Sequence, residues 1–309
     1  MQKVIVFGGS GFLGSHVADV LSEKGYQVII FDRAKSTYLK DSQKMVVGDI
    51  LDRGQIRNVI NGADYVYHFA ALADIDEAKN KPIETVKINV LGTVNILDAC
   101  KEFKVKRFIY GSTVYVYSEH GSFYRSSKQS SELFIENYKK IYDLDYTILR
   151  FGSLYGRRAN KFNSIRNIIR QALLEKKITR DGDGNEVRDY INVFDAARIS
   201  VNILNDDYKN SHIMITGTQT LKVKELLNMI NEMFDNEIEI EFSGEKQEEH
   251  YEITPYSFRP RVAKKYILKD YHDLGQGILD AIYDIYKDLS EDDINKILIK
   301  NPNIKVNNN

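Results

Sequence analysis

The sequence predicts an α/β fold: a doubly wound parallel sheet with a smaller, interleaved C-terminal domain. Three observations carry that prediction. From residue 1 to about 150, short apolar, β-branched runs alternate with longer stretches of helical periodicity, the pattern of a parallel sheet covered by helices on both faces. The first run, Val4 to Phe7, passes through Gly8-Gly9-Ser10-Gly11-Phe12-Leu13-Gly14 into an amphipathic stretch carrying Val17, Val20 and Leu21, which reads as strand, glycine turn, helix. Beyond Phe151 the regular alternation loosens, which marks the second domain.

Strands are expected at Lys3–Gly8, Gln27–Asp32, Lys44–Gly48, Asp64–Ala70, Val105–Gly111 and Asp145–Phe151, with helices between them. One helical pattern runs from about Glu84 to Phe103 and carries Asn89 and Gly92 on an apolar face, which calls for close packing against the sheet. Past Phe151, helices are expected at Ser164–Lys176, Val193–Leu204, Lys222–Phe234 and Gly277–Leu289, and strands at Ile213–Thr216 and Glu237–Phe242. Residues 301–309 are polar and asparagine-rich and read as a frayed tail.

The glycines at 8, 11 and 14 supply what a phosphate-binding turn needs: a tight bend, close backbone approach to a pyrophosphate, and close helix packing. The anion then rests on the free amides and positive dipole end of the helix. The second strand ends at Asp32, roughly 20 residues past the glycines, as a Rossmann dinucleotide fingerprint requires. An acid there accepts hydrogen bonds from ribose hydroxyls and repels a 2′-phosphate, which favours NAD over NADP, although Arg33 beside it weakens the preference. Asp49-Ile50 and His68-Phe69-Ala70-Ala71 fall at the carboxyl ends of strands, where open α/β sheets bind ligands. Asp49 reads equally well as a helix or turn cap, and His68 as a structural histidine.

Composition narrows the function. The 309 residues are 43% hydrophobic, enough for one large domain or two interleaved lobes. With 43 Lys plus Arg against 44 Asp plus Glu, the chain has no electrostatic footprint for nucleic acid or an anionic membrane. The apolar run at the N-terminus stops at Gly8, too short for a signal segment, and no stretch approaches a membrane span; the cytoplasm is the expected location. Cys100 lies in an apolar helical pattern away from any Cys/His cluster and reads as a buried structural thiol, so no metal site is expected.

After the fifth strand come Ser112 and Thr113, and then Tyr124-Arg125-Ser126-Ser127-Lys128. Four-residue spacing on a helix puts the Tyr124 phenol and the Lys128 ammonium on one face. A phenol is a poor base at neutrality, but a lysine cation and a nicotinamide cation beside it stabilise phenolate. Thr113 can hold the same substrate hydroxyl by a hydrogen bond.

With these residues in hand, the chain resembles the extended short-chain dehydrogenases/reductases, in their nucleotide-sugar epimerase and dehydratase group, over nearly its whole length. The matching pieces are the Gly8 to Gly14 turn, Asp32, Asp49-Ile50, His68 to Ala71, Asn89 to Thr93, Ser112-Thr113, Tyr124 with Lys128, Leu149-Arg150-Phe151 through Tyr155-Gly156, and Arg188-Asp189-Tyr190-Ile191. The resemblance implies Thr113, Tyr124 and Lys128 as the catalytic set. It implies NAD held by Gly8, Gly11, Phe12, Leu13, Gly14, Asp32, Asp49, Ile50, Phe69, Ala70, Ala71, Asn89, Ser112, Tyr124, Lys128 and Phe151. It implies a UDP- or GDP-sugar met by Thr113, Ser153, Arg188 and Arg259, with Arg261 as a rival to Arg259; a guanidinium fork suits a diphosphate. Residues 1–150 with 188–216 would form the NAD-binding domain, and 151–187 with 217–300 the substrate domain. A homodimer through Val94–Phe103 and Ser126–Tyr142 is also implied.

The departures from the family pattern are informative. Val114-Tyr115 follows Thr113 where 4,6-dehydratases carry Asp-Glu, the nearby glutamate of the decarboxylases is absent, and no cysteine stands beside the catalytic hydroxyl as in fucose-synthase-like enzymes. Chemistry at C4 alone remains. The link from Thr113 to Tyr124 is shorter than usual, which predicts a more open rim. Asn192 replaces a histidine, and Gly152 and Ser153 stand where epimerases commonly have Asn and Phe. The reading is a nucleotide-sugar 4-epimerase in bacterial surface-glycan precursor synthesis. A net 4-dehydrogenase that releases a 4-keto sugar is the alternative, and a non-catalytic NAD-binding sensor is a third.

Overall fold

In the computed structural model, which describes residues 1–244, 250–254, 263–290 and 293–294, an eight-stranded parallel sheet organises the chain. Its strands are β1 (Lys3–Phe7), β2 (Gln27–Asp32), β3 (Lys44–Val47), β4 (Tyr65–His68), β5 (Arg107–Thr113), β6 (Tyr146–Phe151), β10 (Ser211–Ile215) and β13 (Lys264–Lys265), numbered along the chain. Their spatial order is β13-β10-β6-β5-β4-β1-β2-β3. The chain moves outward from β1 in one direction and then, from β4, in the other. The crevice of such a sheet opens where the order reverses, at the carboxyl ends of β1 and β4.

Burial on both faces explains the apolar runs. Ile5 and Phe7 enter one core with residues of α2 (Arg53–Ile60), α5 (Gly92–Glu102) and α6 (Ser122–Tyr142). Val4 and Val6, one residue out of phase, enter the opposite core with α1 (Phe12–Glu23) and α8 (Val193–Asn202). All four are fully buried, so polar alternation is missing from this strand. Cys100 is likewise buried and free.

A third core joins α7 (Ser164–Glu175), α9 (Val223–Glu232) and α10 (Leu274–Lys287). Beside them lie a three-stranded sheet, β7 (Ser153–Tyr155), β9 (Val187–Asn192) and β11 (Thr220–Lys222), and a two-stranded one, β8 (Lys177–Arg180) with β12 (Glu239–Phe242). All of β9 but Val187 falls among 188–216 and pairs in the three-stranded sheet, while β13 and Leu268 fall among 217–300 and complete the large sheet and its second core. Residues 301–309 lie outside the described residues.

The expected helix from Glu84 to Phe103 is divided. The short helices α3 (Ile75–Asn80) and α4 (Pro82–Thr85) lead into a π turn, Val86–Leu91, before α5 begins. The wider turn carries the Asn89 carbonyl to two hydroxyls, Thr93 Oγ1 at 2.6 Å and Ser131 Oγ at 2.9 Å, both of which donate to it. Gly92 follows because a Cβ there would stand 2.6 Å from Ile50 Cδ1. Among the described residues, no helix is long and apolar enough to cross a membrane.

His16 on α1 is 2% exposed, and its Nε2 donates to the Arg157 carbonyl at 2.9 Å. Burial above all pulls its pKa down from 6.5 to about 4. Between those values the unfolded chain holds the extra proton, so stability falls as pH drops through that window, by up to about 3 kcal/mol. Urea midpoints measured from pH 7 to 4 should decline, and His16→Gln, which keeps a donor for Arg157, should flatten the decline; an unchanged slope would remove His16 as its source.

Candidate active site

The glycine turn sits at the crevice. Gly8 has φ +79°, and a Cβ there would lie 2.5 Å from the Ala70 amide nitrogen; a Cβ on Gly14 would lie 2.2 Å from the Gly8 carbonyl oxygen. Both positions are closed by backbone. At Gly11 an added Cβ would meet one atom, the Gly8 oxygen at 3.3 Å, a close contact that a shift of a few tenths of an ångström relieves, so the protein closes this position far less than the other two. Helix α1 starts at Phe12 with no side-chain cap and no acid in its first turn, which leaves its first amides and its dipole to an anion.

A cavity of about 190 Å³ opens from this turn. Gly8, Gly11, Asp32, Asp49, Ile50, Phe69, Ala70 and Ala71 line it, as the sequence predicts for a cofactor. Phe31, Arg33, Gly48, Leu51, Glu84 and Ile88 also line it, and sequence reasoning did not assign them there. Asp32 Oδ2 accepts a hydrogen bond from the Ser10 amide at 3.0 Å, which fixes the carboxylate over the turn. Asp49 caps its own turn, its Oδ1 accepting from the Leu51 amide at 2.9 Å, and lies in the wall of the cavity. A concave pocket with an uncapped helix start and, beside it, the Asp32 carboxylate held at the glycine turn fits a dinucleotide.

Other expected cofactor residues lie outside the lining of this cavity. Phe12 packs edge-on against His16, and Leu13 packs against the second core. Phe151 belongs to that same core and meets Phe69 edge-on. Asn89 is 1% exposed, and its side chain is committed to protein: Oδ1 accepts from the Leu72 amide at 2.8 Å, while Nδ2 donates to the Leu72 carbonyl at 3.0 Å and to Ser127 Oγ at 2.9 Å. It is a brace between the loop after β4 and α6. The Ser112 hydroxyl donates to Glu132 Oε1 at 2.6 Å, so its proton is directed away from the cavity. His68 is fully buried with Nε2 on Thr93 Oγ1 at 3.0 Å, and burial pulls its pKa down to about 3, as suits a structural histidine.

Thr113 and Tyr124 come together with Lys128 where α6 passes the end of β5. Gly121, at φ +97°, turns the chain into the helix. Lys128 is 3% exposed; its Nζ donates to the Gly111 carbonyl at 2.7 Å and stands 5.9 Å from the centre of the Tyr124 ring. Burial pushes Tyr124 up to about 12, with a hydrogen bond to the Thr113 hydroxyl opposing it. Burial also pulls Lys128 down to about 7, with Glu132 opposing it. The lysine alone therefore does not produce a phenolate, because a dry site penalises both ions.

Two groups of residues escaped the sequence reading. Glu132 continues the Tyr124, Lys128 series by another four residues and forms a buried ion pair with Arg150, at 2.6 Å between Oε2 and Nη2. The spacing was a usable signal. The second group forms the rim, where Tyr115 hydrogen-bonds His250 Nδ1 at 2.8 Å and packs against Tyr251 with ring centres 4.7 Å apart. The short link after Thr113 is thus covered rather than open. Nothing periodic in 250–254 announces this.

Arg188 on β9 is 7% exposed and stacks on Tyr251, with 4.3 Å from Cζ to the ring centre. Ser153 lies on the adjacent strand, in register with Tyr190. Asn192, in the place of a histidine, caps α8 by accepting from the Phe194 amide at 2.9 Å. Arg259 and Arg261 lie outside the described residues.

Comparison with known proteins places this geometry. The family model of the NAD dependent epimerase/dehydratase family matches residues 4–216. A putative UDP-glucose 4-epimerase of Methanocaldococcus jannaschii is 31% identical over 265 residues, spanning 78% of this chain and 84% of that protein. A UDP-N-acetyl-alpha-D-glucosaminuronate decarboxylase of Bacillus cytotoxicus is 29% identical over 260 residues, spanning 75% and 80%. Among solved structures, UDP-glucose 4-epimerase from Thermotoga maritima with UDP-glucose superposes with a TM-score of 0.80 at 25% identity, covering 94% of this chain and 100% of that one. UDP-glucuronic acid 4-epimerase from Bacillus cereus, with UDP-glucuronic acid and NAD, shares the fold at a TM-score of 0.81 and 24% identity, covering 93% and 100%.

The contrast between Gly11 and Gly14 is testable. Gly11→Ala, which loses a good N-cap residue and makes one close contact, should lower the melting temperature slightly and weaken NAD binding by calorimetry about tenfold or more, or about 1.4 kcal/mol. Gly14→Ala should lower the melting temperature itself. Equal stability losses in the two variants would mean that Gly11 is held by packing and not by a ligand.

Proposed function

Because the chain belongs to the NAD dependent epimerase/dehydratase family and uses NAD, we propose that it oxidises a nucleotide-linked sugar at C4 and acts as a nucleotide-sugar 4-epimerase. The meeting of Thr113, Tyr124 and Lys128 at the end of β5 is the observation that carries this reading. The Thr113 hydroxyl orients the sugar C4 hydroxyl, and Tyr124 takes its proton. Lys128 holds the nicotinamide ribose and shares its charge with the developing phenolate. When bound, NAD would supply the acceptor for the C4 hydride and, in an epimerase, the donor that reduces the ketone again. Its positive ring adds to Lys128 in making phenolate accessible, which the resting pair needs given a phenol at about 12.

The uncapped start of α1 and Gly11 hold the pyrophosphate, and Asp32 takes the adenosine ribose. Arg188 meets the substrate diphosphate next to Ser153, with Arg259 as its expected partner. The UDP-sugar enzymes among the relatives support a UDP-linked substrate, and glycan precursor synthesis is the setting that follows. The covered rim supports a second reading: a ketone hindered from turning under Tyr115, His250 and Tyr251 leaves as the 4-keto sugar, the hydride stays with the cofactor, which an outside acceptor must then reoxidise, and the enzyme is a 4-dehydrogenase.

Pairing of two copies through α5 and α6 is part of the proposal. Leu133, Phe134, Ile141 and Tyr142 on α6 and Leu91 just before α5 are exposed, and an apolar surface of this kind is what a partner covers.

Tyr124→Phe should bind NAD as before and lose turnover by orders of magnitude; unaltered turnover would remove the phenol from the mechanism. NMR of products from a panel of UDP- and GDP-sugars separates the two readings, since a C4-inverted sugar marks the epimerase and a persistent 4-keto sugar the dehydrogenase. Sedimentation should show a dimer at micromolar concentration, and monomer alone would refute the pairing.

A further inference from the structure

We propose that Glu132 is a positioning residue for the proton-transfer site: its carboxylate, gripped by Arg150, locks both flanks of Thr113 in place and supplies the anion that Lys128 faces along α6. The inference rests on the roles given above to Thr113, Tyr124 and Lys128.

The geometry is that of a hub. Glu132 is 6% exposed and Arg150 4%, so neither ion is solvated by bulk water. Glu132 Oε1 accepts from Ser112 Oγ at 2.6 Å and from Arg150 Nε at 3.0 Å, and Oε2 accepts from Arg150 Nη2 at 2.6 Å. Arg150 Nη1 donates to the Tyr117 hydroxyl, and the guanidinium carbon lies 4.6 Å from the centre of the Tyr117 ring. Ser112 immediately precedes Thr113, and Tyr117 ends the 3₁₀ turn Val114–Tyr117 that immediately follows it. Thr113 is therefore held on both sides by one ion pair. Ser112 and Thr113 also lie in register with Arg150 and Phe151 across β5 and β6, so the grip runs along a single rung of the sheet.

Stability is a poor reason for such a pair, because burying two ions is expensive and apolar replacements of similar shape are often as stable. Its placement offers a better one. Tyr124, Lys128 and Glu132 recur every four residues along one helix face. Among the described residues, the titratable groups that face Lys128 are His68 on β4, Tyr110 on β5, and Tyr124 and Glu132 on α6. His68 is neutral at working pH, and burial keeps the Tyr110 and Tyr124 phenols protonated. Glu132 is the anion of that set, and it holds Lys128 toward the ammonium form against burial.

Two actions give two readouts. Glu132→Gln, in the full chain without substrate, should move the Lys128 titration about one pH unit toward acid, read by NMR of ¹³Cε-labelled lysine and assigned by loss of the signal in Lys128→Arg. The basic limb of the kcat profile should move the same way, with kcat falling about tenfold or more and KM little changed. Ser112→Ala keeps the carboxylate and loosens one flank of Thr113; it should lower kcat while leaving the Lys128 titration in place. Should Glu132→Gln fold poorly, the paired Glu132→Gln, Arg150→Met variant leaves no unpaired ion and should show the same Lys128 shift. A Lys128 titration that stays put in both Glu132 variants, or Ser112→Ala with wild-type kcat, overturns the proposal. The titration is read on resting protein, so it stands apart from the identity of the sugar and from the reading of C4 chemistry.

Discussion

Everything in the first half of the chain depends on three backbones meeting with no side chain between them. The ends of β1 and β4 are tied by the Phe69 and Ala70 amides, which both donate to the Phe7 carbonyl, at 2.8 and 3.2 Å. Helix α1 comes down on the same point through Gly14. A Cβ at Gly8 or Gly14 would separate these pieces, and the carboxyl end of the sheet would lose the crevice that the reversal of strand order creates. The burial of Val4 to Phe7 on both faces makes the sheet rigid enough for this contact to be held.

The second governing condition is dryness at the end of β5. Burial makes the Tyr124 phenol harder to ionise and Lys128 easier to neutralise, so the resting pair is poised away from the charge distribution that the proposed proton abstraction needs. Three features work against that tendency: the Thr113 hydroxyl, the Glu132 carboxylate and a cationic cofactor ring. A low-dielectric site strengthens each of them, so the same burial that opposes the ions makes the groups stabilising them effective.

The sheet was legible in the sequence because a strand covered on both faces shows as an unbroken apolar run, and because backbone crowding admits only glycine at 8 and 14. Tyr124 and Lys128 were legible through their four-residue spacing only because it follows a glycine turn and a strand ending in Ser112-Thr113. What escaped were interactions between segments distant in the chain. Nothing near Asn89 reveals that the helix widens there so that its carbonyl can take two hydroxyls. Ser112 reads as a site residue by position, yet its proton is claimed by a glutamate twenty residues on. His250 reaches Tyr115 across 135 positions, beyond the range of any local pattern.

The short segment 250–254 does more than cover the rim. The Val187 amide donates to the Glu252 carbonyl at 2.5 Å and the Asp189 amide to Thr254 Oγ1 at 3.2 Å, so the strand carrying Arg188 is fastened on both sides of that arginine, while His250 and Tyr251 grip the turn after Thr113. One tether thus joins the strand of Arg188 to the turn after Thr113. Thermodynamic linkage then makes the two ends reciprocal: any ordering of the tether by a group bound at Arg188 lowers the entropy loss left for a group at Thr113, and by the same amount in the other direction.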